Sequence, residues 1–183
     1  HVLMDLGSNG PSALMAHSHN DALSFQLITD KGPVIEDSGV AEYETSLWRE
    51  FSRSTRAHNT GMINGIEQDD IWKSFRVGRR IKMVPPISKS EKNVEIFQGA
   101  YALNTKQGRF IHTRQFRFYK TFLVVIDFVT GNSSINFESY LHFHENAQLK
   151  ITDSHGVIVQ GFHAPIHIKY FNINTLKKAQ GEL

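Results

Sequence analysis

Cysteine is absent from this chain of 183 residues. That excludes disulfides, thiolate metal sites and a cysteine nucleophile. Apolar residues make up 40% of the chain, yet no run of them approaches the ~20 residues of a membrane-spanning helix. An excess of one charge is lacking too, with 20 Lys and Arg against 18 Asp and Glu. Without a basic block, nucleic acid is not an expected partner and no general polyanion bias is expected. No amino-terminal signal pattern is visible. The first residue is His1, and the expectation is an excised or processed piece of a longer chain. Repeats, low-complexity tracts and linkers are missing as well, so the length fits a single domain.

Histidine and phenylalanine are plentiful, at 10 and 13 residues. The strand signals are short and separated by turn residues. Leu23 to Ile28 and Val34 to Asp37, joined by Asp30-Lys31-Gly32-Pro33, read as a hairpin. Thr60 to Ile63 runs into Asn64-Gly65, a two-residue type I′ turn signal. Further strands are expected at Arg79 to Val84, ended by Pro85-Pro86, and at Val94 to Phe97, Phe110 to Ile111 and from Thr113 onward. Thr121 to Val129 is apolar and expected to be a central buried strand. Phe137 to His144 alternates, and Leu149 to Thr152, Val157 to Val159 and Ile166 to Tyr170 complete the set. Helix is expected only around Ala41 to Phe51, as a short helix or loop. Many short strands at hairpin spacing predict an all-β antiparallel sandwich over residues 1–183.

Residues able to carry chemistry concentrate near the amino terminus. In an extended segment His17 and His19 project to one side. Asp37 closes a predicted strand and His58 lies in the segment Arg53 to Thr60. Two imidazoles and a carboxylate suit Zn²⁺, while the alternative is two surface histidines, a turn-capping aspartate and a loop histidine. Arg49, Arg53 and Arg56 suit carboxylate or sulfate recognition, or else ion pairs with Glu42, Glu44 or Glu50. His142 and His144 fit a polar sheet face better than a second metal site. His155, His163 and His167 read as surface residues, and Trp72 as packing at the sandwich edge in preference to sugar stacking.

In order, His17-Ser18-His19-Asn20-Asp21-Ala22-Leu23-Ser24-Phe25, Asp37-Ser38-Gly39, Arg53-Ser54-Thr55-Arg56-Ala57-His58-Asn59-Thr60 and Asn64-Gly65-Ile66-Glu67-Gln68 resemble the heparinase II/III-like family. Its pattern runs HxHxDxLSF, DxG, then RSTxAHNT and a turn with Gln. Arg114 to Phe118, Val125-Ile126-Asp127 and Leu141 to His144 extend the resemblance over most of residues 13–145. Members join an α/α-toroid domain to a β-sandwich and cleave uronic-acid polysaccharides by β-elimination. The resemblance implies that His19, Asp37 and His58 match zinc ligands and that His17 lines the catalytic cleft. It implies that Tyr43 matches a cleft tyrosine and makes Arg53, within the RST motif, the best candidate for substrate binding. An acidic polysaccharide substrate, a missing toroid domain of the same polypeptide and a bacterial periplasmic or secreted setting follow as expectations. The isolated chain is then expected to be inactive.

Two other readings compete. One is a non-catalytic carbohydrate-binding or scaffold module. The other is a cupin-type metal enzyme, but the glutamate that follows HxH there is replaced here by Asn20 to Ser24.

Overall fold

The structure, a computed structural model, describes residues 1–10, 17–40, 42–73, 76–153, 155–161 and 165–179. Ala41, where the expected helix begins, and His163 lie outside them. A long antiparallel sheet forms the spine, with strand order β10-β9-β8-β7: β7 (Lys82–Glu91), β8 (Val94–Thr105), β9 (Gly108–Phe118) and β10 (Leu123–Gly131). Three-stranded sheets stand at either end of the chain. One is β1 (Val2–Met4), β2 (Phe25–Thr29) and β3 (Gly32–Ile35); the other is β12 (Gln148–Asp153), β13 (Gly156–Gln160) and β14 (Ile166–Lys169). β4 (Gly61–Ile63) pairs with β11 (Phe137–Ser139), and β5 (Ile71–Trp72) with β6 (Arg76–Val77). The arrangement is the all-β sandwich expected. Among the described residues no helix is long and apolar enough to cross a membrane.

The spine explains the Phe content. Side chains alternate across its strands, so Phe110, His112, Arg114 and Phe116 of β9 face inward. Phe110 joins Leu23, Ile63, Tyr101 and Leu103 in one cluster, and Phe116 joins Phe25, Val34, Ile35, Val157 and Val159 in a second. Burying each such side chain contributes roughly 1.5–3 kcal/mol. The second cluster is shared by the spine, the first sheet and the last sheet, and it fixes the loops leaving β2 and β3.

Several boundaries differ from expectation. Pro85 and Pro86 do not end β7, which runs on to Glu91 through a register shift between Val84 and Ile87. The strand lies at a sheet edge, where a bulge tolerates residues without an N–H. β10 is also an edge strand and only half-buried, not central. Its apolar run has one side, with Val125, against the core and the other, with Phe128, exposed. Phe110 to Phe118 belongs to one continuous strand. Asn64 and Gly65 both adopt positive φ, as a type I′ turn requires, but the turn closes only the single bridge Ile63–Ile66. β4 pairs instead with β11, and that strand ends at Ser139, short of His144. The helix is a turn and a half, α1 (Leu47–Ser52), capped by Ser46, whose hydroxyl accepts from the Arg49 N–H.

Candidate active site

Asp37 follows β3, and His58 ends a 3-10 turn at Thr55–Ala57. His58 Nδ1 faces both Asp37 carboxylate oxygens at 3.0 Å. Burial pushes Asp37 up, but the hydrogen bond and charge of His58 outweigh it and hold the carboxyl below its ordinary range. An anionic Asp37 can only accept, so Nδ1 of His58 carries a hydrogen. The Nε2 of His58 is buried and has no hydrogen-bond partner among the described residues. His19 stacks obliquely on His58, with ring centroids 5.0 Å apart. Burial, then the neighbouring His58, lowers the His19 pKa and keeps its imidazole neutral. Its Nδ1 lies 3.2 Å from Asp21 Oδ2, off the direction of a hydrogen bond, and is the second buried ring nitrogen without a partner.

A shallow cavity of about 370 Å³ opens beside these groups, and Asp5, His19, Asp21 and Asp37 line it. Burial, then the charge of Asp5, pushes Asp21 up to about 7. As the side chains stand, no three His, Asp or Glu among the described residues form a group disposed to hold a metal ion. The donor chemistry nevertheless suits zinc: two imidazoles with unused buried nitrogens beside an anionic carboxylate.

His17 and Tyr43 come into contact. Tyr43 Oη is 3.3 Å from His17 Nδ1, and the rings meet edge-on with centroids 5.3 Å apart. Tyr43 is 60% exposed, so the pair faces solvent, with the Arg49 guanidinium over the tyrosine ring at 5.4 Å. Arg53 is placed differently. It is 2% exposed; its Nε donates to the Ser18 carbonyl at 2.8 Å and its Nη1 to the Lys73 carbonyl at 3.1 Å. Burial lowers its pKa. The guanidinium thus ties down the backbone between His17 and His19. Arg49 is buried too and donates to the Glu42 carbonyl at 2.6 Å, while Arg56 is exposed. Trp72 packs over Gly78, where an added Cβ would meet its ring at 2.6 Å.

Residues 1–177 match the family model described as heparinase II/III-like, C-terminal. The chain belongs to this heparinase II/III-like family. A comparison with curated proteins returned no match. Membership makes it a polysaccharide-lyase-associated domain, and the structure explains most of the motif as scaffolding for the loops that carry the histidines.

Gln68 reads the backbone of Ala22, accepting from its N–H at 3.0 Å and donating to its carbonyl at 3.1 Å. Glu67 accepts from the Thr55 N–H, the Thr55 hydroxyl and Asn20 Nδ2 at 2.6, 2.7 and 3.1 Å. Asn59 donates to the carbonyls of Phe25 and Glu36 and accepts from the His142 N–H. Buried irregular backbone needs such partners, since each orphaned polar group costs ~1–3 kcal/mol. Heparinase-type spacing is therefore a folding requirement of this loop cluster.

Sequence reasoning missed three neighbours of the site. Asp21 sits in the HxHxD string without a role assigned from it. His142 reads in the sequence as part of a polar sheet face, yet its Nε2 donates to the Arg56 carbonyl at 2.9 Å and its ring feels the charges of His58 and Asp37. Asp5 carries no signal at all, because only tertiary folding brings β1 beside β2.

Proposed function

We propose that this chain is the metal-binding β-sandwich portion of a polysaccharide lyase that cleaves uronic-acid-containing glycans by β-elimination. The observation that carries the proposal is the solvent-facing His17–Tyr43 contact, 3.3 Å between ring nitrogen and hydroxyl, next to a buried His19–Asp37–His58 cluster. β-Elimination takes the proton at C5, next to the uronate carboxylate, and returns a proton to the departing glycosidic oxygen. A neutral His17 accepts a proton at a ring nitrogen, and the Tyr43 hydroxyl donates or passes one on. The two groups therefore cover proton removal and return within one hydrogen bond. Negative charge builds on the uronate carboxylate in the transition state and needs a donor or cation beside it. In this reading a toroid domain of the same polypeptide completes that side of the cleft.

His19, Asp37 and His58 would hold zinc, with Asp37 exchanging its present contact with His58. Zinc when bound supplies an organising charge that pins the loops carrying His17 and Tyr43. Arg53 supports substrate binding by fixing the Ser18 carbonyl between the two histidines. The acidic glycan, the zinc and a periplasmic or secreted setting are parts of this one reading. Elemental analysis tests it. One zinc per chain in wild type, lost in His19→Ala, Asp37→Ala and His58→Ala with the fold retained, is the expected result. A well-folded wild type that takes up no zinc when supplied with it would overturn the site.

A further inference from the structure

The net charge of the chain is small, but its distribution is uneven. Residues 1–147 hold 16 basic and 16 acidic side chains, whereas residues 148–179 hold Lys150, Lys169, Lys177 and Lys178 against Asp153 alone. The positive excess therefore resides in the sheet β12-β13-β14 and the segment that follows it.

Register settles which side of that sheet is basic. Leu149, Val157, Val159, Ile166, Ile168 and Tyr170 pack on the shared core. Lys150 pairs with Ile158 and Ile158 with His167, while Gly156 pairs with Lys169. Lys150, His167 and Lys169 thus stand on the opposite, outward face, and all three are exposed. A cavity of about 440 Å³ lies on this part of the molecule, lined among others by Asp153, His155, Gly156, His167, Lys169 and Phe171. Gly156 keeps its floor open and close-packed, since a Cβ there would meet Thr152 Oγ1 at 2.5 Å. Phe171 stands at the rim with 78% of its surface exposed. A large aromatic left in water beside Lys169 and two histidines suits a sugar ring that carries a carboxylate: the ring stacks on Phe171 and the anion meets Lys169, while Asp153 in the same lining accepts from the His155 N–H at 2.6 Å.

From this we infer that the outward face of the last sheet is a second binding site for an acidic glycan, separate from the His17–Tyr43 cleft. The inference rests on the proposed substrate class but not on cleavage. Its occupant is a stretch of polyuronate, and its role is to hold the polymer while another part of the same chain is processed. Linking two weak contacts on one polymer raises the effective concentration at the second without new chemistry.

Affinity electrophoresis through gels containing polygalacturonate, with dextran as the neutral control, tests this on the whole chain. Wild type should be retarded by polygalacturonate and not by dextran, and salt should weaken the retardation. Phe171→Ala, which leaves the charge untouched, and Lys169→Ala should each weaken binding by roughly three-fold or more. Lys106→Ala, which removes the same charge from an exposed position in the turn between β8 and β9, should bind as wild type does. Retardation lost in His17→Ala but intact in Phe171→Ala and Lys169→Ala would overturn the second site while leaving the lyase reading in place. Wild type that migrates alike in both gels would overturn the second site as well, and zinc content then judges the cleft independently.

Discussion

Two histidine–aspartate clusters are buried in this molecule. In the first, on the inner face of the spine, Arg114 Nε and Nη2 donate to Asp127 Oδ1 and Oδ2 at 2.8 and 2.9 Å, and Arg114 Nη1 donates to the carbonyls of Leu23 and Asn59. His112 Nε2 lies 2.7 Å from Asp127 Oδ1, and its Nδ1 3.3 Å from Tyr101 Oη. Every nitrogen of the His112 ring has a partner. In the second, His58 also meets an aspartate, but its far nitrogen has no hydrogen bond among the described residues, and Nδ1 of His19 has only the 3.2 Å contact with Asp21, off the direction of a hydrogen bond. Buried polar atoms without partners are rare because each is costly. The first network is complete, as a scaffold requires; the second leaves open donors beside a cavity, which is what the proposed zinc site requires.

Substitutions can break this comparison. The largest loss of stability is expected from Arg114→Met, which strands Asp127 in the interior: about 3–5 kcal/mol, read from the urea unfolding midpoint. An equal effect from His58→Gln would erase the distinction between the clusters. Arg53→Ala comes next. It removes buried charged donors from two backbone carbonyls and should cost about 2–3 kcal/mol, with Arg53→Lys failing to restore it because a single ammonium cannot span both.

Acid should act on the complete cluster in a defined direction. Burial holds His112 below the ordinary imidazole value. Burial pushes Asp127 up, but Arg114 and His112 override it and hold the carboxyl well below the usual carboxylate range. In both cases the unfolded chain binds protons more readily, so stability is lost as pH falls. The loss should begin below about pH 6.5, where unfolded histidine titrates, and steepen below about pH 4 as unfolded aspartate does. Unfolding midpoints from about pH 8 to about pH 2 check this; the decline should be shallower in His112→Gln. The smallest effect on stability belongs to Tyr43→Phe, under about 0.5 kcal/mol at so exposed a position. The same change should sharply lower eliminase activity of the lyase carrying this domain, followed by the absorbance of the unsaturated product.

The hairpin of β2 and β3 and the positions of the spine strands were legible because period-two alternation and turn chemistry are local properties, but not their lengths: β8 runs to Thr105 where only Val94 to Phe97 was expected. Pro85-Pro86 and the Thr121 to Val129 run misled for one reason: whether a strand lies at an edge depends on its neighbours, and no single strand encodes them. The HxH and RSTxAHNT strings lie on loops that the fold brings into contact. What they left open was which of their residues face a ligand. Arg53 carries the strongest motif and turned out to be buried among carbonyls, while Tyr43, loosely matched, touches His17.

The order of residues, then, was enough to establish an all-β sandwich and the family, since each shows in patterns along the chain. Tertiary structure alone decided that β1 brings Asp5 to His19, that His142 joins His58, and that the lysines of the last sheet share one outward face. Those juxtapositions arise from packing elements far apart in sequence onto one core, and burial, charge and reach are properties of that packing.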